Sequence, residues 1–218
     1  MKDLEIPFLA FQHRNSSVEQ ISFNLDALNN EIIGAVSWPA YNYKPGVCFS
    51  IAHANEFILL KYRVREQQLK AAYRKTNDPV YKDSCVEFFI AFGNDKAYYN
   101  LEFNCIGTCL AGFGESRIDR KVIPSAVIEL IQHHSVIKSV NIANSQIDWE
   151  LTLAIPVKVF YFHQLKSLGG LTARVNFYKC GDELIEPHYL SWNKIESEEV
   201  SFHLPEFFGK AHFAEEIE

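Results

Sequence analysis

Tyr98-Tyr99-Asn100-Leu101-Glu102-Phe103-Asn104-Cys105 alternates without a break. Tyr99, Leu101, Phe103 and Cys105 fall on one face, and Tyr98, Asn100, Glu102 and Asn104 on the other, the pattern of a strand with one buried side. Just upstream, Gly93-Asn94-Asp95 signals a hairpin turn, and Val86-Glu87-Phe88-Phe89-Ile90-Ala91-Phe92 before it is β-branched and aromatic. The two segments therefore read as an antiparallel pair. Glu87 and Glu102 are expected on neighbouring strands and on the same face.

The same reading extends outward. In 57–64, Ile58, Leu60, Tyr62 and Val64 share one face, and Lys61 and Arg63 the other. Segment 47–52 follows a turn at Lys44-Pro45-Gly46, and 149–155, 171–179 and 188–192 are further strands. A helix is predicted over 125–134, opened by Pro124, with Val127, Leu130, Ile131 and His134 on one face. Segments 21–28 and 157–165 are short-helix or strand candidates. Many strands, with turn signals about 8–12 residues apart, predict an all-β, antiparallel β-sandwich. It is of jelly-roll or immunoglobulin-like type, with one or two short inserted helices. No repeat or linker interrupts 1–218, which reads as one domain.

One face of each strand enters the core of such a sandwich. The other faces would carry Lys61, Arg63, Glu87, Tyr98, Asn100, Glu102, Asn104, Arg174, Asn176 and Tyr178. Fixed donors and acceptors beside aromatic rings suit a sugar, whose hydroxyls need partners and whose C–H face needs a flat apolar surface. On alternation alone, a solvated face with cross-strand ion pairs is the simpler reading. Trp149 starts an alternating strand and is expected in the core. Trp192 reads equally as core or as a ligand platform.

Composition narrows the chemistry. The 218 residues carry a net charge of −6, with 48% hydrophobic and 22% charged residues, enough for a sizeable core. The acidic balance argues against a nucleic-acid partner. No run approaches the ~18 apolar residues of a membrane span, so no membrane role is expected. The first residues have no secretory h-region; as written the chain is expected in the cytoplasm, or in the periplasm or outside the cell if a leader was trimmed. Five Cys (Cys48, Cys85, Cys105, Cys109, Cys180) show no CxxC spacing and read as buried thiols, with a disulfide framework or zinc site the minority alternative. There are 17 Phe, 10 Tyr and 3 Trp, but the single Met is Met1, which excludes a Met-rich groove.

Catalysis is the rival to binding. Glu87 and Glu102 could serve as nucleophile and acid/base of a glycoside hydrolase, which in retaining enzymes stand ~5–5.5 Å apart. An interaction module meeting a partner protein through exposed aromatics is a third reading. Gly107, Gly112 and Gly114 lack the Lys-Ser/Thr of a phosphate loop and read as a flexible or bulged connection. Arg117 and Arg120 lie in a segment read as solvated, with an overhang of the site as the alternative. His133 and His134 cannot chelate together from one helix face, and the Glu129/His133 spacing gives two ligands only.

Asp78-Pro79-Val80-Tyr81-Lys82-Asp83-Ser84-Cys85-Val86-Glu87 resembles the Asp-Pro and D-S-x-V-E motifs of family 9 carbohydrate-binding modules, in the DOMON-like superfamily, with Cys85 as one extra residue. Tyr98 to Asn104, Trp149-Glu150-Leu151, Asn176 to Asp182, Pro187 to Trp192 and Phe202 to Gly209 follow in family order, so the resemblance covers about 21–213. It looks most like the stand-alone bacterial type.

The resemblance implies a β-sandwich that binds a mono- or oligosaccharide between two aromatic rings. It places the first ring at Tyr81 and the second at Phe202. Glu87 matches the acidic motif position, and Glu102 falls where the family often has Arg. Neither stacking position is Trp here, so a different or weaker ligand is implied. The candidate ligand-binding set is Tyr81, Glu87, Asn100, Glu102, Asn104, Asn176, Tyr178, Trp192 and Phe202. No cofactor is expected. The family implies structural calcium in some members, for which Asp182, Glu183 or the Asn94-Asp95 turn are candidates. Cytochrome relatives commonly use a Met ligand that this chain lacks; haem is not expected, with a His188/His203 pair the residual option.

Overall fold

The hairpin at Gly93-Asn94-Asp95 lies in the middle of the larger of two sheets. The structure, a computed structural model, describes residues 1–10, 17–141 and 146–216. In chain order the first strands are β1 (Asp3–Ile6), β2 (Glu31–Ile32), β3 (Ala35–Val36), β4 (Gly46–His53), β5 (Phe57–Glu66), β6 (Cys85–Phe92) and β7 (Tyr98–Asn104). They continue as β8 (Cys109–Gly114), β9 (Lys121–Val122), β10 (Gln132–Asn141), β11 (Gln146–Pro156), β12 (Thr172–Cys180), β13 (Tyr189–Ser191) and β14 (Gly209–Phe213). The larger sheet runs β1-β14-β12-β6-β7-β8-β9, with β13 on β12 and β3 on β13; the smaller runs β10-β11-β5-β4-β2. All these pairings are antiparallel except β1 with β14, which is parallel. The expected all-β sandwich is therefore the fold.

The two sheets meet across one apolar layer. Phe88, Ile90, Tyr99, Leu101, Phe103, Val175 and Phe177 face Phe49, Ile58, Leu60, Tyr62, Trp149 and Leu151. Phe177 stacks on Phe49 at 3.8 Å and on Phe88 at 5.0 Å between ring centroids. Tyr62 Oη, buried in this layer, donates to the Glu87 carbonyl at 2.9 Å and ties the sheets together. Trp149 is core as expected, and its indole N–H donates to Glu66 at 2.6 Å.

Two further elements cover the outside of the smaller sheet and connect it. Helix α1 (Val18–Asp26), capped by Ser17, buries Ile21 and Leu25 against Ala52, Leu59 and Ala154. That helix also buries Lys61, which sequence reading placed facing outward; its ammonium is paired with Asp26 at 2.6 Å and Glu150 at 3.0 Å. The predicted helix over 125–134 shrinks to one turn, α2 (Ser125–Ile128), and the chain is in β10 from Gln132. Ladder bonds along β11 outweigh a helical pattern that would leave Leu130 half-exposed in any case. Gly112 and Gly114 lie in a regular strand, not a flexible connection. Among the described residues no helix is long and apolar enough to cross a membrane.

Candidate functional site

The outer face of the larger sheet is buried, not solvated. Phe89, Tyr98, Tyr178, Cys85 and Cys180 point outward from β6, β7 and β12, and so much apolar surface draws a cover over itself. Trp38, Val80, Ile195, Phe202 and Phe208, from segments outside the main strands, complete this second apolar layer.

A pocket of about 270 Å³ opens through the cover. Glu87, Glu102 and Cys180, from three adjacent strands, lie against it from the sheet side; Tyr41, Tyr81, Tyr189 and Phe202 give it aromatic walls; Arg117, Asp182 and His203 also line it. Tyr41 meets Tyr189 edge to face at 4.8 Å, and Phe202 stacks on Tyr178 behind it at 4.1 Å and 10°. The walls are held by packing before any ligand arrives.

Strand register sets the floor. Glu87 pairs directly opposite Glu102 on β7 and Tyr178 on β12. Cys180 Sγ donates to Glu87 Oε1 at 3.1 Å. Asn100 Nδ2 donates to Glu102 Oε1 at 2.8 Å, while Arg120 Nε donates to Asn100 Oδ1 at 2.8 Å. The guanidinium thus fixes which way the Asn100 amide points. Gly112 makes room for this relay, since a Cβ there would come within 2.9 Å of Asn100 Oδ1. Glu102 Oε2, by contrast, is buried with no hydrogen-bond partner among the described residues.

The electrostatics follow from burial. Desolvation pushes the Glu87 carboxyl well above the usual carboxylate range, and Cys180 and Glu102 add to the shift. Desolvation raises Glu102 to about 7 against the opposing pull of Asn100 and Arg120. Asp182 rises to about 6 through burial, restrained by its Tyr189 hydrogen bond and by Arg117. Burial, then Arg120 and Arg117, lower His203 to about 3, so its ring is neutral where it bonds the Tyr98 hydroxyl at 3.0 Å. The floor thus holds a Glu87 whose acid form is favoured by burial beside a Glu102 that is near its midpoint at neutral pH.

Of the residues read from the sequence, Tyr81, Glu87, Glu102 and Phe202 converge on this pocket. Asn100 stands one hydrogen bond behind Glu102, and Tyr178 backs Phe202, donating to its carbonyl at 3.1 Å. Three others are placed elsewhere. Asn104 donates to Asp83 at 3.0 Å and to the Tyr73 carbonyl at 2.7 Å, pinning the 68–84 segment. Asn176 donates to the Asn193 carbonyl at 3.0 Å and accepts from the Asn193 amide at 2.9 Å. Trp192 is in the inter-sheet core, with its N–H on Glu31 at 2.8 Å. Alternation along β13 and just past its end explains it: Leu190 and Trp192 point inward, and Tyr189, of the opposite parity, reaches the pocket.

Sequence reading did not place Tyr41, Tyr189, Cys180 or His203 at a sugar pocket. Only Tyr189 carried a usable signal, the period of two through Leu190 and Trp192. Arg117 takes the overhanging position that was the alternative reading. Arg120 is drawn inward, 4.4 Å over the Tyr98 ring. His188 is held on both ring nitrogens, by Lys179 and by the Glu186 carbonyl, both at 2.9 Å, and does not meet His203. Of the calcium candidates, Glu183 is ion-paired with Lys70 and Lys82, and Asp95 with His163.

Comparison with known proteins gives a consistent picture. The profile of carbohydrate-binding family 9 matches residues 18–213. A Bacteroides uniformis protein proposed to bind carbohydrate is 35% identical, with a TM-score of 0.89 over 97% of this chain and 99% of that one. A family 9 module from Caldicellulosiruptor kristjanssonii in complex with glucose shares the fold, at TM-score 0.63 and 9% identity over 99% of this chain and 97% of that one. The same description applies to its complex with cellotriose, at TM-score 0.60 and 9% identity over 99% and 95%. No curated protein matches the sequence. With the profile matched along nearly the whole chain and the motif residues Tyr81, Glu87 and Phe202 gathered at one pocket, this chain belongs to carbohydrate-binding family 9.

Proposed function

We propose that the pocket binds a sugar without transforming it. The observation that carries this reading is Glu102 Oε2, a buried acceptor left without a partner at the foot of aromatic walls. A buried polar atom in that state is costly until something donates to it. A sugar hydroxyl supplies the donor, and Tyr189, Phe202 or Tyr81 supplies the flat surface for its C–H face. Glu87, whose acid form burial favours, offers a donor in return.

At about 270 Å³ the space is at the lower edge of the ~300–1,000 Å³ usual for ligand pockets. That size suits one sugar ring, free or at the end of a chain, better than a run of rings along a groove. The solved glucose and cellotriose complexes of the family 9 module agree with this class of ligand.

Calorimetry with mono- and oligosaccharides tests the proposal. Binding by the wild type that weakens in Glu102→Ala supports it. Absence of binding to any sugar on a broad glycan array defeats it, and turnover of aryl-glycosides lost in Glu102→Gln would replace it with catalysis.

A further inference from the structure

Beneath the pocket, three side chains from two strands form a second constellation. Cys85 and Glu87 are two residues apart on β6 and so project from the same face. Cys180 on β12 is the register partner of Cys85. One donor atom from each, two Sγ and one carboxylate oxygen, lie within 4.8 Å of one another, and all three side chains are buried. Among the described residues this is the group of His, Cys, Asp or Glu side chains whose donor atoms converge in this way.

Among the described residues the three side chains are held by thiol hydrogen bonds, Cys180 to Glu87 and the Tyr81 carbonyl and Cys85 to the Val86 carbonyl. Buried carboxyl groups are normally paired with a cation, hydrogen-bonded, or bound to metal. Glu87 has no cation beside it among the described residues; the groups acting on its carboxyl are Cys180, Glu102 and Asp182. Its hydrogen bond to Cys180 uses a weak thiol donor. The thiols are not bridged to each other.

We propose that Cys85, Glu87 and Cys180 bind a zinc ion at the base of the pocket. Tetrahedral zinc takes sulfur at ~2.3 Å and carboxylate oxygen at ~2.0–2.2 Å, which sets two sulfurs about 3.8 Å apart. The observed spread is at most about 1 Å larger than that. Two sulfurs and one oxygen select a thiophilic ion over calcium or magnesium, which require oxygen cages. Glu87 and Cys180 both line the pocket, so the ion borders it, and water or a ligand hydroxyl can complete the coordination from that side. Binding replaces the protons of the two thiols and the carboxylic acid with the ion. It would cross-link β6 to β12 under the sugar site. Forming the site needs no sugar contact, but a zinc-bound Glu87 no longer donates to a sugar, so in the loaded protein the sugar site rests on Glu102 and the aromatic walls.

The test is titration of the reduced, metal-free full chain with Co²⁺, then displacement by Zn²⁺. The expected result is one equivalent bound, with near-ultraviolet thiolate-to-cobalt charge-transfer absorption and the visible bands of a tetrahedral site. Cys85→Ser and Cys180→Ser should each lose the charge-transfer intensity of one thiolate and weaken binding roughly 100-fold or more, against ~10–100-fold for loss of a mere supporting residue. Zn²⁺ should raise the wild-type Tm where Ca²⁺ does not, a reading that needs no variant to fold. Absence of binding, binding without thiolate absorption, or binding unchanged in both serine variants overturns the site. Failure of this test leaves the Glu102 calorimetry untouched, and the reverse also holds.

Discussion

Glu87 on β6 and Glu102 on β7 stand directly opposite each other in the sheet, 3% and 5% exposed. Like-charged residues in direct register are destabilising. Burial offsets this by favouring the acid form of both carboxyls, and near neutrality a large share of Glu102 is protonated. The sheet therefore presents two carboxyl groups to a pocket without two full charges.

Stability should reflect this proton. Glu102 has a folded pKa of about 7 against an ordinary 4.5, so the folded state holds the proton more tightly. The stability it confers is complete below pH 4.5 and is lost as the pH rises through about 7. Glu102→Gln keeps the acceptor for Asn100 and removes the titration. We expect it to raise stability at pH 8, on the order of 1–3 kcal/mol, and with it the Tm, with little change at pH 4. Thermal melts across that range would refute the assignment if the variant and wild type stayed parallel.

Sugar affinity should depend on the wall more than on the largest nearby aromatic. Tyr189→Ala should weaken binding about tenfold or more by deleting an aromatic surface. Trp192→Phe, in the inter-sheet core, should cost about 1 kcal/mol of stability through the lost bond to Glu31 and leave affinity alone. Calorimetry on both variants separates the two tryptophan readings, since a drop in affinity for Trp192→Phe would return that residue to the site.

Arg120 holds the floor from behind. It bonds Asn100 Oδ1 and the Tyr98 and Ser116 carbonyls, each at 2.8 Å. Arg120→Ala should destabilise the chain by about 2–3 kcal/mol, by stranding those acceptors, and should weaken sugar binding as Asn100 loses its orientation. Arg120→Lys should recover only part, because one ammonium cannot reproduce the fork. Equal sugar affinity in all three proteins would show that the relay does not reach Glu102.

A buried ion pair lies next to Cys180, on the opposite face of β12. Lys179 Nζ is 2.9 Å from each of Glu66, His188 Nε2 and the Cys180 carbonyl, and both Lys179 and Glu66 are wholly buried at the side chain. Lys179→Met should cost about 3–5 kcal/mol by leaving Glu66 uncompensated. Adding Glu66→Gln should restore part of the loss, and chemical denaturation of the pair of variants would show it. A double variant as unstable as the sum of both single changes would contradict the pairing.

The strand alternation was legible in the chain because one face of each strand must meet the core. Residues 57–64, 86–92 and 98–105 accordingly appear in the structure with the faces their pattern required. The Asp78-to-Glu87 motif likewise marked a place where the backbone is pinned: Asp83 accepts from the Ala72 and Tyr73 amides and Ser84 from Lys70. Local pattern was silent where pairing decides. Residues 132–134 carried a helical period but joined β11, since ladder bonds to a partner distant in sequence are invisible in a short window.

The sequence by itself determined the sandwich, its core strands, the family, and the pairing that sets Glu87 beside Glu102. Only the tertiary structure decided that the outer sheet face is covered, that Tyr41, Tyr189 and His203 join Tyr81 and Phe202, and that Asn104, Asn176 and Trp192 do not. The reason is range. Alternation states which side of a strand a residue occupies, but whether that side meets water, a loop or a cavity depends on distant segments folding across it, as the 200–203 segment does over Glu102.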